Sequence, residues 1–141
     1  MKRFISLGCF GLLVLTACRG KQERLLSEYL AAREKDVIAY SAADAAAAYR
    51  EKLQYLDHVK KLEREGADFI SYQDIYVWDF ARLGLLAEHL GMKPEAARFF
   101  ATAAANAQKA YPNRPNMNTE AALRSALEQM DTPDKFAWRR K

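Results

Sequence analysis

The sequence predicts an all-α fold, built from antiparallel helical hairpins or as a small helical bundle. The chain of 141 residues is rich in Ala, Leu, Glu, Arg and Lys, which are strong helix formers. It shows no convincing run of alternating β-branched residues, the pattern typical of a half-buried strand. Capping residues and glycines divide the chain into segments of helical length.

The first two helices are predicted on either side of Ser41. Apolar residues between 23 and 40 fall at spacings compatible with a helical stripe. They are Leu25, Leu26, Tyr29, Leu30, Val37 and Ile38. Ser41 and Asp44 can form a capping box, so we expect a break near Ser41 and a second helix that ends at Gly66. A single helix of about 45 residues is the alternative, because neither Gly nor Pro interrupts the chain between Lys21 and Gly66.

Three further helices are predicted from caps and breaks. Ser71 and Asp74 repeat the capping pattern, and Gly91 suits the end of the helix that they open. Pro94 is tolerated in the first turn of the next helix. The loop at 111–116 separates it from a shorter last helix. We expect the three helices at about 72–90, 94–110 and 119–130.

The N-terminus has the parts of an export signal. Lys2 and Arg3 form a charged start, and an apolar core follows at 4–14. This core is too short for a comfortable membrane span, which needs about 20 apolar residues. Small residues and a cysteine come next, in the order Leu15, Thr16, Ala17 and Cys18.

These four residues resemble the lipobox of bacterial lipoproteins. The resemblance implies cleavage between Ala17 and Cys18 and lipid modification of Cys18. The alternative is an ordinary cleaved signal followed by an incidental thiol. Cys9 would leave with the signal, so the mature chain would hold one cysteine and no internal disulfide. Removing residues 1–17 from the 141 leaves 124, enough for one domain with a modest core.

The residue after the cysteine bears on the location of the protein. It is Arg19, whereas Asp at this place tends to retain Gram-negative lipoproteins in the inner membrane. The resemblance therefore implies the periplasmic face of the outer membrane if the source is Gram-negative, and otherwise a lipid anchor in the cell membrane. Several acyl chains on one residue make such an anchor stable.

The charge of the mature chain is nearly balanced. Without Lys2 and Arg3, 20 of the 22 basic residues remain against 18 acidic ones. The sequence pI near 9.1 is therefore no nucleic-acid footprint, and an exported compartment also argues against a nucleic-acid partner.

A second resemblance covers one predicted hairpin, roughly 77–107. Eight residues carry it: Phe80, Leu83, Gly84, Ala87, Gly91, Ala96, Phe100 and Ala103. They resemble one tetratricopeptide repeat. The resemblance implies that Gly84 and Ala96 are small where two antiparallel helices cross, with Phe80 and Phe100 filling the wider space.

The chain also departs from that repeat. Ala87 stands where an aromatic residue is usual, Pro112 arrives several residues late, and no second copy follows at a spacing of about 34. A generic close-packed hairpin is the alternative. It predicts the same local geometry.

No residue pattern indicates catalysis, a metal site or a cofactor. His58 and His89 lack the two-histidine spacing of a zinc helix and are interpreted as surface or boundary residues. Asp79 and Arg82 are three apart and are interpreted as a solvated ion pair, worth a few tenths of a kcal/mol. We therefore expect a protein that is not an enzyme and has no evident small-molecule substrate.

Two features are candidate binding surfaces. Tyr72, Tyr76 and Trp78 crowd the start of the third helix, and aromatic residues are favoured interface anchors. The alternative is a central helix that is buried nearly all round. Within the tail at 132–141, aromatic and basic residues alternate over 135–141, which suits contact with anionic lipid or an acidic partner. A frayed, solvated tail is the favoured interpretation.

These observations together predict an organisation and a class of function. The expected parts are a signal peptide at 1–17, a lipidated anchor and short linker at 18–24, a helical domain at 25–131, and the tail. The expected function is protein binding at the membrane, assisting assembly of an envelope or secretion complex. The comparison is with small helical pilotin lipoproteins, on size, anchor and helix content alone. The alternative is an inhibitory, exclusion or immunity-type lipoprotein that blocks an incoming protein or conjugation machine.

Overall fold

The protein is all-α, as predicted. The computed structural model describes residues 8–139, and the side chains of 19–139 apart from residue 134. This range contains no strand, and its helices pack against each other as hairpins in a small bundle. The α-helices are α1 (Gly8–Ala42), α2 (Ala45–Glu65), α3 (Tyr72–His89), α4 (Lys93–Ala110) and α5 (Glu120–Met130). Short 3-10 helices lie at Pro115–Met117, Pro133–Lys135 and Ala137–Arg139.

A break separates α1 from α2, so the alternative of one long helix is wrong. The break lies at 43–44, and Asp44 caps α2 by accepting a hydrogen bond from the Ala47 N–H at 2.8 Å. Ser41 does not cap α2, because its hydroxyl donates to main-chain carbonyls of the last turn of α1. Gly66 ends α2 as predicted, with φ +77° in the left-handed region that suits glycine.

The stripe predicted on α1 is only partly buried. Leu25 and Tyr29 belong to the core. The other four are 40–57% exposed: Leu26, Leu30, Val37 and Ile38. The buried face of α1 continues instead through Asp36 and Tyr40, which follow Leu25 and Tyr29 at helical spacing. The prediction failed because two neighbouring stripes both fit the helical period, and the one that packs on α2 includes a carboxylate.

The structure bears on the expected linker at 18–24, but the charged start of the expected signal lies outside the described residues. Residues 18–24 are not a linker, since they form part of α1. The charged start at Lys2 and Arg3 and the side chain of Cys18 lie outside the described residues. Within the part of the chain that is described, no helix is both long and apolar enough to cross a bilayer.

Helices α3 and α4 form a closely packed hairpin, joined by a turn at Gly91, where φ is +77°. Gly84 lies directly against the buried ring of Phe100. Phe80 is only partly buried and stacks on Phe99, with ring centroids 6.2 Å apart. The remaining buried members of the repeat-like set are Leu83, Ala87, Ala96 and Ala103. A repeat and a generic hairpin both predict this packing, so it does not distinguish them.

We expect Gly84→Ala to lower the free energy of unfolding by about 1–3 kcal/mol, the usual cost of overpacking a core. A Cβ at this position would lie 2.6–2.9 Å from three ring atoms of Phe100, which is enclosed and has little room to move. Urea denaturation of the full chain measures the change.

Gly20→Ala is the matched control. Gly20 is an exposed glycine of α1, and a Cβ added there would have nothing within 4 Å, so alanine should leave the free energy of unfolding unchanged or raise it by up to about 1 kcal/mol. A higher free energy of unfolding in both variants would show that Gly84 is not needed for close packing.

The C-terminal segment folds back onto the domain, so the interpretation as a frayed, solvated tail is wrong for its described residues. Trp138 is buried, and its indole N–H donates to the carbonyl oxygen of Tyr40 at 2.8 Å. The ring of Phe136 also packs on Tyr40, with centroids 4.9 Å apart. The two aromatic residues of the tail thus contact the chain's own core.

Candidate functional site

A cavity of about 370 Å³ lies between α1 and α3, and we call it the α1–α3 cavity. Buried residues of α2, Lys52 and Tyr55, form its floor. Its volume lies in the range usual for ligand sites. Seven of its lining residues carry charges, four acidic and three basic: Asp36, Asp74, Asp79, Asp131, Arg33, Lys52 and Arg82.

Lys52 is the centre of the floor. Its side chain is 2% exposed, and Nζ donates to Asp36 Oδ2 at 2.6 Å and to Asp79 Oδ1 at 2.9 Å. Nζ also lies 4.9 Å from the ring centroid of Tyr40, within cation–π range. The helical period places Lys52 inward, on the same face of α2 as Ala48 and the floor residue at 55.

Arg82 and Asp131 extend this network. Arg82 donates from Nε and Nη2 to the two oxygens of Asp131, at 2.8 and 3.0 Å, a bidentate geometry. Tyr40 donates its hydroxyl to the same carboxylate at 3.0 Å. Burial opposes the charge on Arg82, but the hydrogen bonds and charge of Asp131 hold the pKa of Arg82 above its usual value.

Asp79 and Arg82 are therefore not the solvated ion pair that their spacing predicts. Their separation is 3.4 Å, but Asp79 is buried and also accepts from Lys52, so the pair is one edge of a buried network. The sequence held one signal for this. Lys52 follows two charged residues in the sequence, but the helical period places it on the face of α2 that carries Ala48 and Tyr55, where a solvated charge is unexpected.

Asp36 is the least satisfied member of the network. It is 4% exposed, and its Oδ2 accepts from Lys52. Its Oδ1 is buried and has no hydrogen-bond partner among the described residues. Burial raises the pKa of Asp36 above its usual range, and the positive charge of Lys52 only partly opposes this. A buried polar atom without a partner costs about 1–3 kcal/mol.

The rim of the α1–α3 cavity combines apolar and charged groups. Val37 is exposed there, and Ile75 and Trp78 are partly buried. Arg33 donates to the hydroxyl of Tyr29 at 3.1 Å and makes no ion pair within the described part of the chain.

A carboxylate on α3 completes the rim. Asp74 accepts hydrogen bonds of 2.6 Å from both Ser71 and Tyr111, and these bonds lower the pKa of Asp74. Ser71 thus occupies the N-cap position of α3 as predicted, but its side chain bonds Asp74 rather than a main-chain N–H.

The structure separates the three aromatic candidates for partner binding. Tyr72 and Tyr76 lie next to each other, with centroids 6.5 Å apart, and each hydroxyl donates within the domain, to Ala67 and Glu63. Trp78 points to another face of α3 and lines the α1–α3 cavity. Only Trp78 of the three therefore belongs to the candidate site.

The two histidines lie away from the α1–α3 cavity. His58 is partly buried and His89 is exposed, which confirms their interpretation as boundary and surface residues. Among the described residues, no group of three or more His, Cys, Asp or Glu side chains could hold a metal ion.

The fold and cavity define a small all-α protein with a charged, half-open cavity. Comparisons with family models, curated proteins and solved structures gave no match for this chain.

Proposed function

We propose that this protein is a lipoprotein of the bacterial envelope that binds another protein at the membrane surface. Its anchor is Cys18, at the periplasmic face of the outer membrane in a Gram-negative cell. Its role is to assist assembly of an envelope or secretion complex. The signal-like N-terminus supports the location, and the surface of α1 supports the binding role.

The observation that carries the binding role is an exposed apolar surface on α1, which we call the α1 edge. It consists of Leu26, Leu30, Val37 and Ile38. The first three are spaced by four and seven residues, so they form one line along the helix. Val37 continues this line into the rim of the α1–α3 cavity. Apolar surface beside a cavity is typical of protein-binding sites, and a line of this kind suits a partner helix or an extended segment.

The position of this surface relative to Cys18 adds to the proposal. Helix α1 is unbroken from Gly8 to Ala42, so Cys18 and the α1 edge share one helix. At 1.5 Å per residue, the step from Cys18 to Leu30 is about 18 Å. A partner bound there would be held close to the bilayer, where local concentration strengthens binding without new contacts.

The anchor is tested by intact mass spectrometry of membrane fractions from cells that express the full chain. We expect a mature chain that begins at an acylated Cys18. The Cys18→Ser variant should lose both the acyl mass and the membrane association. An unmodified Cys18 thiol in the native chain would contradict the anchor.

Partner binding is tested by placing a photo-crosslinking amino acid at Val37 in cells, with Ala101 as the control position. Ala101 is exposed on α4, away from the α1–α3 cavity. We expect one discrete adduct from Val37, absent from Ala101 and reduced by Cys18→Ser. Equal adducts from both positions would contradict a specific surface.

Deletion of the gene then tests the role of the captured protein. An assembly factor predicts that this protein is mislocalised in the deletion strain. A captured protein that keeps its place would instead indicate the inhibitory, exclusion or immunity class.

A further inference from the structure

We propose that the α1–α3 cavity receives a cationic side chain, a lysine or arginine of the partner segment that lies along the α1 edge, and that this cation pairs with Asp36. The inference rests on the proposed function, because it specifies the chemistry of the same partner. It is carried by the charge balance of the cavity, by Asp36 and by the aromatic lining.

The residues that line the α1–α3 cavity carry more negative than positive charges, which favours a cation as the ligand. Three buried acids, Asp36, Asp79 and Asp131, face buried Lys52 and partly buried Arg82. Among the described residues of the floor, the acids therefore exceed the bases by one. Including the rim residues gives four acids and three bases, so the sign is unchanged. A buried charge without a partner is costly, and an added cation relieves that cost whereas an added anion does not.

The hydrogen bonding of Asp36 identifies where that cation pairs. Lys52 already holds Oδ2, while Oδ1 has no partner among the described residues although the side chain is 4% exposed. Asp36 lines the α1–α3 cavity, but Oδ1 itself is covered. The carboxylate must turn to meet a ligand, and the terminal torsion of aspartate is broad enough to allow this. An ammonium or guanidinium group would donate the hydrogen bond that Oδ1 lacks.

The aromatic lining favours a cation over a neutral donor. Tyr29, Tyr40, Tyr55 and Trp78 all line the α1–α3 cavity. Two of these rings already contact a cation, because Nζ of Lys52 lies 4.9 Å from the ring centroid of Tyr40 and 5.7 Å from that of Tyr55. Ring faces attract ammonium and guanidinium groups by about 0.5–2 kcal/mol. The volume, about 370 Å³, accommodates one such side chain.

The first test uses n-butylammonium, which has the shape of a lysine side chain, and n-butanol, which is similar in shape but neutral. Binding to the full chain in detergent micelles is followed by NMR of the indole N–H signals, of which there are two because the chain has two tryptophans. We expect the signal of Trp78 to shift with n-butylammonium at about ten-fold lower concentration than with n-butanol. Equal concentrations for the two probes would overturn the inference.

The second test compares Asp36→Asn with Asp57→Asn. Asp57 is exposed on α2, so its variant controls for loss of one negative charge. We expect Asp36→Asn to weaken n-butylammonium binding about ten-fold or more and Asp57→Asn to leave it unchanged. Retained binding in a folded Asp36→Asn variant would overturn the inference. If that variant does not fold, the comparison of the two probes on the native chain decides.

A third test identifies the source of the cation. The probe is a short helical peptide with one lysine between leucines, compared with the same peptide carrying norleucine. The lysine peptide should bind more tightly than both the norleucine peptide and n-butylammonium, because it also contacts Leu30 and Val37. A lysine peptide that binds no better than n-butylammonium would show that the cavity takes free amines instead. If the photo-crosslinker at Val37 captures a partner but the cavity binds no cation, the proposed function is supported and only this inference is wrong.

Discussion

Replacing Lys52 with methionine is expected to lower the free energy of unfolding by about 3–5 kcal/mol, the usual loss when one partner of a buried ion pair is removed. Methionine fills a similar volume, so the loss would come from charge rather than from a cavity. Asp36 and Asp79 would be left buried with one cation fewer between them. Urea denaturation measures the loss, provided that the slope with urea concentration is unchanged.

Two further variants show whether the loss comes from the buried network. Lys60→Met removes an exposed lysine of the same helix, 3.4 Å from Asp57, and should cost less than about 0.5 kcal/mol. The double variant Asp36→Asn, Lys52→Met should recover part of the loss, because one uncompensated carboxylate is gone. Similar losses for Lys52→Met and Lys60→Met would show that the floor of the α1–α3 cavity is better solvated than the structure indicates.

The second large effect on stability is expected at the C-terminus. Replacing Trp138 with alanine should lower the free energy of unfolding by about 3–5 kcal/mol. The indole is buried against the rings of Tyr40 and His89, with centroids 5.4 and 5.7 Å away, and donates to the Tyr40 carbonyl oxygen. Removing it opens a cavity between the end of α1 and α3, because the same core cluster includes Leu86.

Trp138→Phe is the matched control for this prediction. It keeps most of the apolar volume and loses the indole N–H, so about 1–2 kcal/mol is expected, chiefly from the Tyr40 carbonyl oxygen left without its donor. A chain that ends at Asp131 should lose at least as much free energy of unfolding as the Trp138→Ala variant. A small loss in Trp138→Ala would restore the interpretation of 132–141 as a solvated tail.

The helix boundaries could be predicted because their signals are local. Gly66 and Gly91 take positive φ where α2 and α3 end, and Pro94 lies in the first turn of α4. The capping box at Ser41 located the break between α1 and α2 within three residues, although Asp44 supplies the cap. Such features depend on the conformation of a few neighbouring residues, which the sequence specifies directly.

The candidate site could not be predicted because its contacts join distant parts of the chain. Lys52 meets carboxylates 16 and 27 residues away, and Arg82 meets one 49 residues away. Asp79 and Arg82 have a spacing that is common on solvated helices, and nothing local shows that Lys52 of α2 reaches Asp79. The prediction of a solvated tail was wrong for a similar reason. The same alternation of aromatic and basic residues fits a solvated Trp138 and a buried one.

The continuity of α1 also bears on mechanical force. In the proposed setting, tension between the lipid at Cys18 and a pulled partner would run along this helix. Because the anchor and the α1 edge lie on the same helix, the load between them would pass along α1 and would not slide α1 past α2. The Lys52–Asp36 pair and the Trp138–Tyr40 contact, which tie α1 to the rest of the domain, would stay unloaded. Helix α1 would therefore act as a short, stiff tether while the rest of the domain stays folded.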